Sequence, residues 1–171
     1  MFILFFAAIW LIGALLHLAL SRQPRSPAGV LEVFLLWALI VTGLQGVFAF
    51  YGHVFNGPAV ARSIGWPPGN PFQFEVGVAN LGLGVLGLMC IWRRGHFWLA
   101  TIIMASVFYW GAAYGHIDQI IRFQNYAPNN AGAVLYSDLL APVILIGLYA
   151  ALEATKAREA KARPKRIKRV A

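Results

Sequence analysis

Carboxylates and cysteine are scarce in this chain: it has 6 Asp and Glu residues and 1 Cys among 171, and only 12% of it is charged. Soluble domains carry roughly 25% charged residues, so a water-soluble globule is excluded as the natural reading. One thiol cannot form an intrachain disulfide. Cys90 sits deep in an apolar run, where it reads as a small packing residue rather than a nucleophile. A thiolate metal centre needs several cysteines, so that class falls away too. Also missing are a serine-nucleophile elbow, a Walker loop and a dinucleotide fingerprint. No reaction is named by these absences, and no cofactor follows from them.

What the chain has is long apolar runs: 60% of it is hydrophobic. Runs of about 17 to 25 apolar residues cross the hydrocarbon core as helices. Five are expected, at Phe2–Leu20, Gly29–Val54, Phe72–Trp92, Phe97–Ile117 and Val134–Ala154. The fold class is therefore all-α, an integral membrane bundle of five transmembrane helices, with four as the alternative if the first run is removed or interfacial. The first run lacks a basic n-region and a small-x-small cleavage site, which favours its retention. Residues 1–155 form the bundle and residues 156–171 a basic tail. The segment from Glu153 onward favours helix and extends the fifth span until Pro164 ends or kinks it.

Of 14 Lys and Arg residues, all but Arg62 and Arg122 fall in three segments that alternate with the runs. Arg22 and Arg25 follow the first run, and Arg93 and Arg94 the third. Lys156, Arg158, Lys161, Arg163, Lys165, Arg166, Lys168 and Arg169 follow the last. Basic side chains resist translocation, so these segments are expected in the cytoplasm of a multi-pass plasma (inner) membrane protein. The N-terminus, the loop at Asn56–Pro71 and the loop at Asp118–Ala133 then lie outside. The formal charge of +8 reflects a juxtamembrane tail that suits anionic lipid, not nucleic acid.

Small and polar residues recur at helical spacing in three spans. Gln73, Gly77, Asn80, Gly84 and Gly87 share one face of the third, Thr42, Gly46, Ala49 and His53 of the second, and Ser106, Tyr109, Ala113 and His116 of the fourth. Such faces let helix backbones approach closely in lipid, and the three seams are expected to face one another.

Ionisable groups at membrane depth are costly and mark candidate sites. His53, Glu75, His116, Asp118 and Asp138 all fall near the outer boundary, with Asn80 just below Glu75 and Arg62 in the preceding loop. Each has a plainer role available. Glu75 and Asp138 lie in first helical turns, where the macrodipole favours carboxylates, and Arg62 could pair with Glu75. His53 suits an interfacial hydrogen bond, and His116 an interhelical one. His17, Gln45 and Glu32 read as isolated packing or interfacial residues. Three chemistries compete for the cluster: a divalent metal with His53 and His116 as candidate ligands, a haem between those histidines, or a His–carboxylate acid–base pair acting on a lipid-soluble molecule. His116 and Asp118 point about 200° apart on a helix, unlike an i, i+4 ligand pair.

The loop before the third span carries Pro67, Pro68 and Pro71 with Trp66. It is stiff and anchored by aromatics, suited to a lid or a seal. Here the chain resembles an uncharacterised family of small multi-span membrane proteins. The similar stretches are Ser63-Ile64-Gly65-Trp66-Pro67, Pro71-Phe72-Gln73-Phe74-Glu75, Asn80 with Gly82 and Gly84, Gly115-His116, and Asn130 with Gly132. The resemblance implies the architecture and marks the outer face, and it carries no activity. DoxX-like proteins share the general plan but no specific motif with this chain. The expectation is an outward polar pocket of Glu75, His116, Asp138, Asn80 and Arg62 that binds a small hydrophobic or redox-active ligand. The rivals are an accessory subunit packed on a membrane-protein partner or another copy, and a small transporter.

Overall fold

The computed structural model describes residues 2–21 and 25–162. Arg22 and the last five basic residues of the tail, with Pro164, lie outside the described residues. Six helices follow in order: α1 Phe2–Leu20, α2 Pro27–Phe55, α3 Gly57–Ile64, α4 Phe72–Met89, α5 His96–Phe123 and α6 Ala133–Ala162. Five of them, all but α3, are long and apolar enough to cross a membrane. The five expected spans are therefore present as helices.

Three boundaries differ from the sequence reading. The loop at Asn56–Pro71 contains the short helix α3. Asn56 ends α2 and begins α3, Pro58 fits its first turn, and Gly65 closes it in the left-handed region at φ +80°, where glycine has no Cβ penalty. The fourth span continues past Ile117 to Phe123. Arg122 and Asp118, one turn apart at 3.6 Å, lie on that extension, and Gln124 ends it in a left-handed C-cap. The third span stops at Met89. Before α4, Asn70 accepts the Phe72 N–H through Oδ1 at 2.9 Å and so supplies the cap that Pro71 cannot.

α2 is the central element and packs on α1, α4 and α6, while α5 packs chiefly on α6. The α2–α4 contact is a glycine-on-glycine seam. A Cβ on Gly43 would come within 2.7 Å of the Leu88 N and one on Gly46 within 2.5 Å of the Asn80 O. Both obstacles are backbone, so only hydrogen fits. This contact joins the seams expected on the second and third spans. The seam on α5 corrects that expectation: Ser106, Tyr109, Ala113 and His116 are buried, but their helix lies mainly on α6 rather than on α2 or α4. The core runs through Leu35, Leu39, Leu83, Ile102, Leu145 and Leu152.

At the basic end of the bundle, α6 runs past the core to dock on the start of α2. Glu159 accepts the Ala28 N–H and the Ser26 hydroxyl, each at 3.0 Å, so a carboxylate from one helix caps the N-terminus of another. Glu32 pairs with Arg94 at 3.2 Å.

Candidate functional site

At the opposite end, three buried polar side chains form a chain of contacts: His116 on α5 (8% exposed), Asn130 in the following loop (0%) and Asp138 on α6 (6%). The loop that carries Asn130 begins at the left-handed Gln124. The Asn125 N–H returns to the Gln119 carbonyl at 3.2 Å and the Asn125 Oδ1 takes the Ala127 N–H at 3.1 Å. A further turn brings the Asn130 N–H to the Ala127 carbonyl at 2.8 Å. These turns aim the Asn130 side chain down at α5.

The hydrogen bonds fix proton positions. The Asn130 amide nitrogen donates to the Asn125 carbonyl at 2.8 Å and to the His116 carbonyl at 3.2 Å. Carbonyls only accept, so the amide has one orientation, and its Oδ1 faces His116 Nδ1 at 2.8 Å. That nitrogen must carry a proton. The other ring nitrogen, Nε2, lies 3.7 Å from Asp138 Oδ2, close but beyond a hydrogen bond. A bare lone pair facing an ionised carboxylate here would be repulsive. The pair is favourable with one proton between its members, either imidazolium beside carboxylate or neutral imidazole beside carboxylic acid.

Asp138 has further capacity. No hydrogen bond reaches its carboxylate among the described residues. Pro142, inside α6, has no N–H for the Asp138 carbonyl four residues earlier, so that oxygen is released from the helical ladder. The site therefore offers two acceptors on one residue beside a ring that holds a fixed proton.

A double loop closes this end. The Asn125 amide donates to the Ile64 carbonyl at 2.9 Å, the Asn129 N–H to the Ser63 carbonyl at 3.1 Å, and the Asn129 amide to the Ser63 hydroxyl at 3.0 Å. The last residues of α3 and its C-cap, Ser63–Gly65, are thus laced to the Asn125–Asn130 loop. Glycine is favoured at position 65 by its φ of +80°, and a Cβ there would enter the Asn125 side chain.

The other sequence candidates stand apart from this chain. Glu75 and Arg62 are exposed, and among the described residues neither makes an ion pair, so the Arg62–Glu75 bridge is not formed. Asn80 is buried in the α2–α4 seam and donates to the Val76 carbonyl of its own helix at 2.9 Å. His53 pairs through Nδ1 with the Gln73 amide at 2.9 Å, while His116 is engaged by Asn130 and Asp138. The two histidines thus have separate partners, and among the described residues no three His, Cys, Asp or Glu side chains gather as a metal set. Asn130 was not a pocket candidate in the sequence. Its neighbours Pro128, Asn129 and Gly132 give it the look of an ordinary turn residue.

Two grooves open on the apolar flanks. One of about 200 Å³ lies between α5 and α6, with Ile103, Val107, Trp110 and Ile146 among its walls. The other, about 550 Å³, lies against Phe6, Val47 and Leu88. Neither includes the His116–Asp138 pair. The first runs along the same two helices and ends at Trp110, whose indole reaches the Leu139 carbonyl at 3.4 Å.

The model of a family of unknown function, DUF6790, matches residues 1–158. The chain belongs to that family. The match takes in all the site residues and both loops of the cap. No curated protein and no solved structure matches the chain.

Proposed function

We propose that this DUF6790 member is a multi-pass protein of the plasma membrane whose outer end binds a small lipid-soluble ligand through the His116–Asp138 pair. The observation that carries the reading is the 3.7 Å approach of His116 Nε2 to Asp138 Oδ2, both side chains nearly buried, with Nδ1 locked as a donor by Asn130. Burial of two ionisable groups near a helix end is expensive in structural terms alone. A site that must exchange a proton or a hydrogen bond with a ligand head group accounts for retaining them. A carbonyl- or hydroxyl-bearing head suits the gap of 3.7 Å between the two groups, and the α5–α6 groove suits an apolar chain. The orientation follows from the basic segments: Arg25, Arg94 and the tail at one end are cytoplasmic, and the capped pair faces outward.

The test is extraction of the purified protein in lipid nanodiscs, with mass spectrometry of the lipid-soluble molecules retained. A single enriched species should be present in wild type and in Glu75→Gln, and lost in Asp138→Asn and His116→Gln. Equal retention in Asp138→Asn would sink the reading. A second reading, an accessory subunit packed on a membrane partner, is favoured by one observation. Glu75 is exposed on α4 with no ionic partner among the described residues, and a neighbouring chain would relieve that cost. Comigration with a larger complex in mild detergent, abolished by Glu75→Ala, would support it.

A further inference from the structure

The basic end of the bundle holds donors that its own contacts do not use. Arg25, in the turn before α2, gives one guanidinium nitrogen to the Ser21 hydroxyl at 3.0 Å. Its Nε is buried with no hydrogen-bond partner among the described residues. Arg94 stacks over the Trp98 ring at 4.8 Å and spends one N–H on Glu32, and among the described residues the rest of its fork has no hydrogen-bond acceptor. His17 sits one helical turn before Ser21, the residue that accepts from Arg25. The Trp37 indole, which can only donate, bonds His17 Nδ1 at 3.2 Å, so the His17 ring proton sits on Nε2. No partner for that N–H is found among the described residues.

Donor groups on α1, just before α2 and just before α5 therefore lie at one end of the bundle, where an anion would satisfy them. Among the described residues the three carboxylates at this end are already engaged, Glu153 by Lys156 at 3.1 Å. Glu159 is taken by Ser26 and Ala28, and Glu32 by Arg94. We propose that Arg25, Arg94 and His17 form a binding site for the phosphate group of an anionic phospholipid. A planar guanidinium fork matches phosphate oxygens, and an orphaned Nε–H gains the bond it lacks. The position favours a lipid over a soluble anion. The donors lie where the apolar runs of α1 and α2 end and α5 begins, and Leu20 at the end of α1 and Trp92 before α5 are exposed, as acyl-chain and interfacial contacts require. The site uses none of the tail's basic residues, although Glu159 of that segment docks beside it on Ser26 and Ala28. It rests on the membrane embedding proposed above but not on the ligand of the His116–Asp138 pair.

The experiment uses the full-length protein in nanodiscs of phosphatidylcholine with or without phosphatidylglycerol, read by native mass spectrometry. Wild type should retain phosphatidylglycerol over phosphatidylcholine by roughly five- to thirtyfold, the scale set by one or two basic contacts at a membrane surface. Arg25→Gln should remove that preference. Arg25→Lys, which keeps the charge but loses the Nε–H, should reduce it, and this guards against a folding defect in the first variant. A variant with Lys165, Arg166, Lys168 and Arg169 all changed to Gln should keep it. Loss of preference in the tail variant with retention in Arg25→Gln overturns the site. Displacement of the lipid by millimolar inorganic phosphate assigns the site to a soluble anion and overturns the lipid assignment. Release of the protein from membranes by alkaline carbonate would instead defeat the embedding itself.

Discussion

Replacing Asn130 by alanine probes the site most directly, because each of its hydrogen bonds has a known partner. The His116 Nδ1–H loses its acceptor at 2.8 Å and, being buried, finds no water. An orphaned buried donor costs about 1–3 kcal/mol. The Asn125 carbonyl loses a donor at 2.8 Å, but its residue is only half-buried, so about 1 kcal/mol is reasonable there. The His116 carbonyl loses a 3.2 Å contact yet lies mid-helix and keeps its helical partner, so it adds little. The expected destabilisation is about 3 kcal/mol, measured by equilibrium unfolding in mixed micelles with increasing dodecyl sulfate. Asn130→Asp is the same size and keeps an acceptor for His116, but it sets carboxylate oxygens against two carbonyls. It should be at least as harmful as alanine. Asn129→Ala, which loses one exposed bond to Ser63, should cost less than about 1 kcal/mol. If Asn130→Ala and Asn130→Asp both fall within that same small range, the locked orientation of the amide, and with it the proton assignment on His116, is wrong.

Three other outcomes follow from the fold. Gly46→Ala places a Cβ 2.5 Å from the Asn80 carbonyl and should cost roughly 2–4 kcal/mol in the same assay, whereas Gly82→Ala, with open space around it, should be neutral or slightly stabilising. Gly65→Ala should expose the Gln124–Gly132 loop to protease, because it combines a left-handed φ with a collision against Asn125. Gly69→Ala, equally left-handed at φ +88° but without a neighbour, should cost only about 1–2 kcal/mol of backbone strain and leave that loop protected. In a Cys90→Ser background, a cysteine at Gly69 should react with an impermeant maleimide on intact cells, and one at Lys161 only after permeabilisation; the reverse order would overturn the orientation.

The helices were legible because each apolar run carries its signal locally. Phe2–Leu20 matches to the residue, and the departures arise where short-range chemistry overrides hydropathy. The polar stretch after Asn56 looks like a loop by hydropathy, yet Pro58 and Gly65 punctuate a helix of 8 residues. The α2–α4 seam was visible because glycines at helical spacing report a requirement for close approach. Which face α5 would choose was not visible, since a small-polar stripe names no partner. For the site, the sequence placed His116 and Asp138 at one depth, but depth is one coordinate of three. Glu75 and Arg62 share it and point away. Asn130 was hidden because its role depends on a turn that folds it under the cap, and turn residues give no sign of which side chain will face inward.

The placement of α6 links both ends of the molecule. Its buried residues Leu135, Asp138, Pro142, Leu145 and Leu152 fall at steps of three, four or seven, which keeps them on one stripe. Such a stripe fixes which face is inside but tolerates a slide by one turn, because leucines repeat along it. The polar contacts remove that freedom. Asp138 meets His116 at one end and Glu159 caps α2 at the other. The two carboxylates are 21 residues apart in the chain, or about 31 Å at the helical rise. That is close to the thickness of a hydrocarbon core, so each falls where polar contact is tolerable. A one-turn slide would break both at once and drag a carboxylate toward the apolar interior. At the basic end, the contact of Glu159 with a helix N-terminus meets the need for register. At the other, a leucine on α5 would pack against α6 without burying an imidazole and a carboxylate. Register therefore explains Glu159 fully and the His116–Asp138 pair only in part, and the remainder is what the proposed ligand would have to account for.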